Sequence, residues 1–140
     1  MTPAFTIVSA EAAARTPSPA RATVRAIAGK GRGIVAAGPI AAGDLILTDP
    51  TVELSAADCR ALGPTPIEDY HFAHPEDAEL GLLVLGLASL ANHADAPNAA
   101  TEYCRADGLG WLVMLRALRA IAAGEEITRR YACEPWFPVT

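Results

Sequence analysis

Turn-forming glycine and proline clusters divide this chain into pieces too short for long helices. They fall at Gly29-Lys30-Gly31-Arg32-Gly33, Gly38-Pro39, Ala42-Gly43-Asp44, Gly63-Pro64-Thr65-Pro66, Asp107-Gly108 and Ala122-Ala123-Gly124. Glycine supplies backbone angles that a side chain hinders, and proline removes an N–H from any helix interior or central strand. Between the breaks lie short β-favouring runs at residues 23–26, 33–36, 45–48 (ended by Pro50), 99–105, 109–115 and 126–131. Asp107-Gly108 between two of them is a hairpin signal. Ser55-x-x-Asp58 makes a capping box, with Asp in place of Glu, and predicts a helix to about residue 62. The run 80–90 is apolar on nearly every side and predicts a buried helix, whereas 67–79 is polar and irregular. The pattern predicts a mainly β body with short helices, folded over itself.

With 140 residues, one domain with a single core is expected. Residues 1–22, rich in Ala, Thr and Pro, read as a loosely held and partly disordered N-terminal arm with one edge strand at 5–8. The domain proper is expected over 23–140, ending in a short aromatic tail. Hydrophobic residues make up 51%, which fits a globular chain. A formal net charge of −5 argues against general nucleic-acid affinity and suits a basic partner. Cys59, Cys104 and Cys133 form no C-x-x-C pair, so neither a zinc ribbon nor a disulfide framework is expected. The N-terminus lacks a basic signal n-region, and 80–91 is too short to span a bilayer. A cytoplasmic protein with reduced thiols and no membrane contact is the expectation.

Three segments carry chemistry, and they come in a fixed order. The first is Gly31-Arg32-Gly33, preceded by Gly29-Lys30; the second is Asn92-His93-Ala94-Asp95-Ala96-Pro97-Asn98; the third is Gly124-Glu125-Glu126-Ile127-Thr128, running on to Tyr131. Neither a dinucleotide-binding G-x-G-x-x-G nor a Walker loop is present. In order and spacing the three resemble the signature of the SET-domain protein-lysine methyltransferases, over about residues 23–136: G-x-G, then N-H-x-x-x-P-N, then G-E-E-h-T-x-x-Y with h apolar. That resemblance implies a SET-type β-clip whose C-terminal segment passes through a loop as a pseudoknot.

The same resemblance assigns roles. Lys30, Gly31, Arg32 and Gly33 would lie along S-adenosylmethionine, the implied cofactor. Asn92 and His93 would meet its methionine amine and adenine, largely through backbone groups. Tyr131 would be catalytic and also touch the cofactor, where the methyl sulfonium and the substrate lysine meet. Trp136 either stacks on adenine or anchors the terminus on the core, and Phe137 is a candidate wall of the lysine channel. A second channel tyrosine is expected, and Tyr70 and Tyr103 are the two candidates. His71-x-x-His74 with Glu76 and Asp77 reads as an exposed polar loop, because Pro75 and the missing helical context disfavour a metal site; no metal is expected.

The chain departs from the family pattern at Ala94-Asp95 (commonly Ser-Cys), at Arg130 (commonly Asp) and at Ser89 (often Arg). The resemblance implies methyl transfer to the side-chain amine of a lysine in a protein or peptide partner. The departures leave a second reading, a catalytically inactive SET-like module that binds basic peptides. Small stand-alone relatives sometimes pair to complete their sites, so a homodimer is compatible with the family, although no seam for it is visible in the sequence.

Overall fold

The computed structural model describes residues 5–9 and 21–131. Among the described residues ten strands form two sheets. The larger has the order β1 (Thr6–Ile7), β8 (Ala99–Ala106), β9 (Gly110–Ala117), β4 (Leu45–Leu54), β6 (Gly81–Val84), β5 (Phe72–Ala73). The smaller has the order β2 (Ala22–Ile27), β3 (Gly31–Ala36), β10 (Glu126–Arg129), β7 (Asn92–His93). Their apolar faces meet in one cluster that includes Ile34, Ile46, Leu47, Leu82, Val113, Leu115, Ile121 and Ile127.

The hairpins stand where their turn residues put them. β8 and β9 pair antiparallel from Ala99↔Ala117 to Ala106↔Gly110, closed by a turn with Gly108 at φ 78°. β1 adds to the outer edge of β8, in the stretch where the sequence predicts an edge strand, but it runs parallel. The capping box forms as predicted: the Asp58 N–H donates to Ser55 Oγ at 3.1 Å and the Ser55 N–H to Asp58 Oδ2 at 2.9 Å. Helix α1 follows over Ala56–Leu62 and ends at Gly63.

Four local expectations need correction. The predicted buried helix at 80–90 is strand β6 followed by a 3-10 turn over Leu87–Leu90. A short apolar run has no periodicity to separate a helix from a buried strand, and here β4 and β5 both pair with it. Gly86 then lets the chain turn inward, because the Asp49 carboxylate fills the space where a side chain at 86 would stand.

Next, β4 does not stop at Pro50. It continues to Leu54 and changes partners there, from β9 through Pro50 to β6 from Thr51 onward. The missing N–H of proline falls at that hand-over, where a strand tolerates it. The third correction is His74, which is buried and does not belong to an exposed loop: its Nδ1 accepts the N–H groups of Glu76 and Asp77, and Nε2 meets Glu53 Oε2 at 3.0 Å. Lastly, the final strand ends at Arg129, two residues earlier than predicted.

β10 has the position that matters for function. It pairs antiparallel with β3 (Ile127↔Ile34) and parallel with β7 (Thr128↔Asn92, Arg129↔His93). A parallel neighbour needs a long crossover, and the β8–β9 hairpin supplies it. The tail beyond Tyr131 lies outside the described residues. Among the described residues no helix is long and apolar enough to cross a membrane.

Candidate active site

Because β10 lies between β3 and β7, the three sequence segments become neighbours across one small sheet. Asn92 joins them. Its Nδ2 donates to the Arg32 carbonyl at 3.0 Å and to Glu126 Oε2 at 2.8 Å. Glu126 Oε1 in turn holds Lys30 Nζ at 2.9 Å, in a mostly buried pair. Lys30 is therefore tied to the third segment through its charge.

The two motif glycines do different work. Gly31 sits at φ +81°, and a Cβ there would meet nothing within 4 Å, so its outer side is open. Gly33 is packed: a Cβ would come within 2.6 Å of Asn92 Nδ2 and 3.0 Å of Glu126 Oε2. Its missing side chain makes room for the Asn92 amide.

His93 is buried and fixed at both ring nitrogens. Nδ1 accepts the Tyr131 N–H at 2.9 Å, and Nε2 lies 2.9 Å from Asp95 Oδ1. A nitrogen that accepts carries no proton, so these bonds assign the Nε2–H tautomer. Tyr131 stands edge-on to this ring at 5.1 Å, and its hydroxyl donates to the Ala91 carbonyl at 3.3 Å. Burial raises its phenol pKa, with nearby Arg129 opposing.

Asn98, the last residue of the second segment, acts as a substitute strand neighbour for β10. Its Nδ2 donates to the Glu126 carbonyl at 2.7 Å and its Oδ1 accepts the Thr128 N–H at 2.9 Å. Asp49 has a comparable anchoring role in the layer below. Its Oδ2 accepts the Ala88 N–H at 2.8 Å and so holds the turn that leads into Asn92-His93. Sequence reasoning assigned no role to Asn98, Glu126, Asp49, Arg129 or Phe72. Asn98, Glu126 and Arg129 lay inside quoted motifs, Arg129 at a position the motif leaves open; Asp49 and Phe72 stood in runs with no pattern to mark them.

The two candidate channel tyrosines separate clearly. Tyr103 is buried, donates its hydroxyl to the Ala73 carbonyl at 3.0 Å and packs edge-on against Phe5 and Trp111. Burial pushes its pKa up to about 12. Tyr70 is exposed, lies under the Arg32 guanidinium at 5.8 Å and is close enough to Tyr131 to bear on its ionisation. The Tyr103 hydroxyl is thus spent on the Ala73 carbonyl in the core, whereas Tyr70 is exposed beside Arg32 of the first segment. Trp136 and Phe137 lie outside the described residues.

The departures from the family pattern meet each other. Arg130 Nη1 donates to the Asp95 carbonyl at 3.0 Å, while the Asp95 side chain engages His93. Arg129 is buried, its guanidinium 3.7 Å from the centre of the Phe72 ring and 4.7 Å from that of Tyr131. Among the described residues no group of three or more His, Cys, Asp or Glu could hold a metal ion.

The family model for the SET domain matches residues 31–132, most of the chain. This chain belongs to the SET-domain family. Its SET domain superposes on the crystal structure of a candidate histone methyltransferase from Plasmodium falciparum with a TM-score of 0.66 and 25% identity, covering 84% of this chain and 98% of that one. It also superposes on a chain of apo ctPRC2 in an autoinhibited state, with a TM-score of 0.68 and 18% identity, covering 81% of this chain and 15% of that one. A ctPRC2 structure with mutations in Ezh2 gives 0.64 at 20% identity, over the same shares. No curated protein matches the sequence. The SET domain here thus has the mainly β, folded-over architecture of solved SET methyltransferases.

Proposed function

We propose that this SET domain transfers a methyl group from S-adenosylmethionine to the side-chain amine of a protein lysine. The observation that carries the reading is β10 lying between β3 and β7, which sets Tyr131 beside His93 and Asn92 against the Gly31–Gly33 backbone. Gly31 faces open space, with the exposed Arg32 next to it, so a ligand can lie along this backbone and a bulky side chain at 31 would stand in its way. Residues 31–33 and the Asn92-His93 backbone would hold the cofactor, with Arg32 available for its carboxylate. When bound, it supplies a methyl group on a positive sulfonium, which a neutral amine accepts with loss of one proton.

The protein's own contribution is positioning. Asn92 and Glu126 tie the glycine strand to β10, so its backbone is held in place by the protein's own side chains. His93 fixes the Tyr131 backbone, and the phenol is aimed at the end of the 3-10 turn by the Ala91 carbonyl. A lysine must shed its proton before it reacts, since its ordinary pKa is about 10.4. Holding amine and methyl group in line in a dry site supplies most of the acceleration in such a reaction. A histone tail is the first acceptor to try: it is lysine-rich and basic, the chain carries a net charge of −5, and one structural neighbour is described as a candidate histone methyltransferase.

One observation favours a second reading, a binding module without turnover: a buried guanidinium lies on the face of Tyr131. Calorimetric titration with S-adenosylmethionine, followed by methyl transfer to a lysine-peptide panel, separates the two. Saturable one-site binding that Gly31→Trp abolishes, together with transfer, is expected. Peptide binding without any transfer leaves the binding module. A folded protein that binds no cofactor refutes the enzyme reading.

A further inference from the structure

Ladder pairing between β7 and β10 runs out at Arg129↔His93, with one further bond from the Ala94 N–H to the Arg129 carbonyl at 3.0 Å. Past that point a part-buried backbone N–H needs an acceptor that the sheet does not offer. For Tyr131 the acceptor is a side chain, His93 Nδ1 at 2.9 Å. The backbone that carries the phenol is therefore held by one imidazole, and only while its Nδ1 is bare.

A neutral imidazole has two tautomers, and the one with its proton on Nδ1 cannot take the Tyr131 N–H. The bond made at the other nitrogen selects between them. Asp95 makes that bond, its Oδ1 lying 2.9 Å from His93 Nε2. An ionised carboxylate only accepts, so this contact requires the proton on Nε2. Bonds in such a chain strengthen one another, so a polarised Nε2–H also makes Nδ1 the better acceptor. The His93 side chain is 5% exposed and that of Asp95 86%. An acid so open to water adds little to stability, and its contribution is direction.

Asp95 is itself steadied from the third segment, because Arg130 Nη1 donates to its carbonyl at 3.0 Å. Two departures from the family pattern thus serve one arrangement. The cysteine common at 95 would be a weak acceptor for Nε2–H, and the aspartate common at 130, when ionised, would have no side-chain proton to give.

We infer that Asp95 is a positioning residue for Tyr131: its carboxylate selects the Nε2–H form of His93, which leaves Nδ1 to hold the Tyr131 backbone, and Arg130 keeps Asp95 in place. The effect on rate rests on the reading of Tyr131 as the group that meets the acceptor amine. The effect on His93 and on the Tyr131 N–H does not.

The test compares wild type with Asp95→Ala, Asp95→Asn, Arg130→Ala and the double variant Asp95→Ala/Arg130→Ala, each checked for folding by a thermal melt. Imidazole nitrogen NMR at about pH 8.5, above the ordinary imidazole range, reads the tautomer. Wild type should show Nδ1 bare and Nε2 protonated, and Asp95→Ala should shift both signals toward a mixture of the two forms. Hydrogen exchange at the Tyr131 amide should become about fivefold faster in Asp95→Ala. In the transfer assay that variant should lose about fivefold in kcat with the peptide KM little changed. Asp95→Asn keeps an acceptor and should recover most of each loss. Arg130→Ala should act in the same direction but less, and the double variant should add little to Asp95→Ala, because both changes work through one contact.

Unchanged imidazole signals and unchanged Tyr131 exchange in Asp95→Ala overturn the inference, even when wild type transfers methyl groups. An asparagine variant that matches the alanine one overturns it as well, since an acceptor at Nε2 would then not be what counts. The expected signals and exchange in a wild type without any transfer keep the positioning of Tyr131 by Asp95 and defeat the turnover reading.

Discussion

At the scale of single residues, the proposed site separates groups that hold geometry from Tyr131, the group proposed to meet substrate. Tyr131→Phe keeps the ring against His93 and removes only the hydroxyl. Methyl transfer should fall by on the order of a hundredfold, with peptide binding and melting temperature little changed. The glycines give a sharper contrast. Gly33→Ala drives a methyl into the Asn92 amide and should cost about 1–3 kcal/mol in denaturant unfolding, together with cofactor affinity. Gly31→Ala meets nothing, so only its left-handed backbone should register, at about 1 kcal/mol. If the two variants lose equal stability, the assignment of Gly33 to Asn92 packing is wrong. The sequence showed both glycines but not this difference, because the neighbour that makes Gly33 necessary is nearly sixty residues away.

Elements succeed or fail on whether their signals are local. Helix α1 was legible because Ser55 and Asp58 cap each other within one turn. Ser55→Ala should lower stability by about 1 kcal/mol in chemical denaturation. The stretch 80–90 was misread because nothing in it distinguishes a buried strand from a buried helix; its partners β4 and β5 decide. The turn that follows depends on Asp49, which lies nearly forty residues earlier. Asp49→Ala removes the acceptor of a buried N–H and should cost about 1–3 kcal/mol, with Asn92 and His93 shifting as well. Asp49→Asn keeps an acceptor and should stay within about 1 kcal/mol of wild type. Such a split, read by melting and by cofactor titration, would establish Asp49 as a positioning residue.

Across the whole molecule, two carboxylates pull the pH dependence of stability in opposite directions. Glu125 is held down to about 2 by the side-chain hydrogen bond from Arg119 first, then by the Ala122 N–H. Its folded pKa lies below the unfolded value, so its contribution is present above about 4.5 and is lost as pH falls toward 2. Asp49 behaves in reverse: burial raises its pKa above 3.8, so folding favours the protonated form. That contribution is present at low pH and is withdrawn as pH rises through the raised pKa. Urea midpoints measured from pH 3 to 7 should therefore show Asp49→Asn flattening the decline toward neutrality, and Glu125→Gln flattening the acid limb. A pH profile unchanged in Asp49→Asn would mean that the Asp49 carboxyl is not desolvated as the fold implies.

Punctuation and motif order were enough, in the sequence alone, to assign a mainly β chain to the SET family and to mark Gly31, Asn92, His93 and Tyr131. Turn residues act through their own backbone angles, and a motif keeps its order whatever the chain does between its segments. Tertiary structure decided the rest. It set β10 between β3 and β7, turned a supposed helix into a strand, buried Tyr103 while leaving Tyr70 exposed, and buried Arg129 against two aromatic rings. Each of these depends on which distant segment lies alongside. Strand pairing and side-chain burial are energies of contact between residues far apart in the chain, and no local pattern carries them.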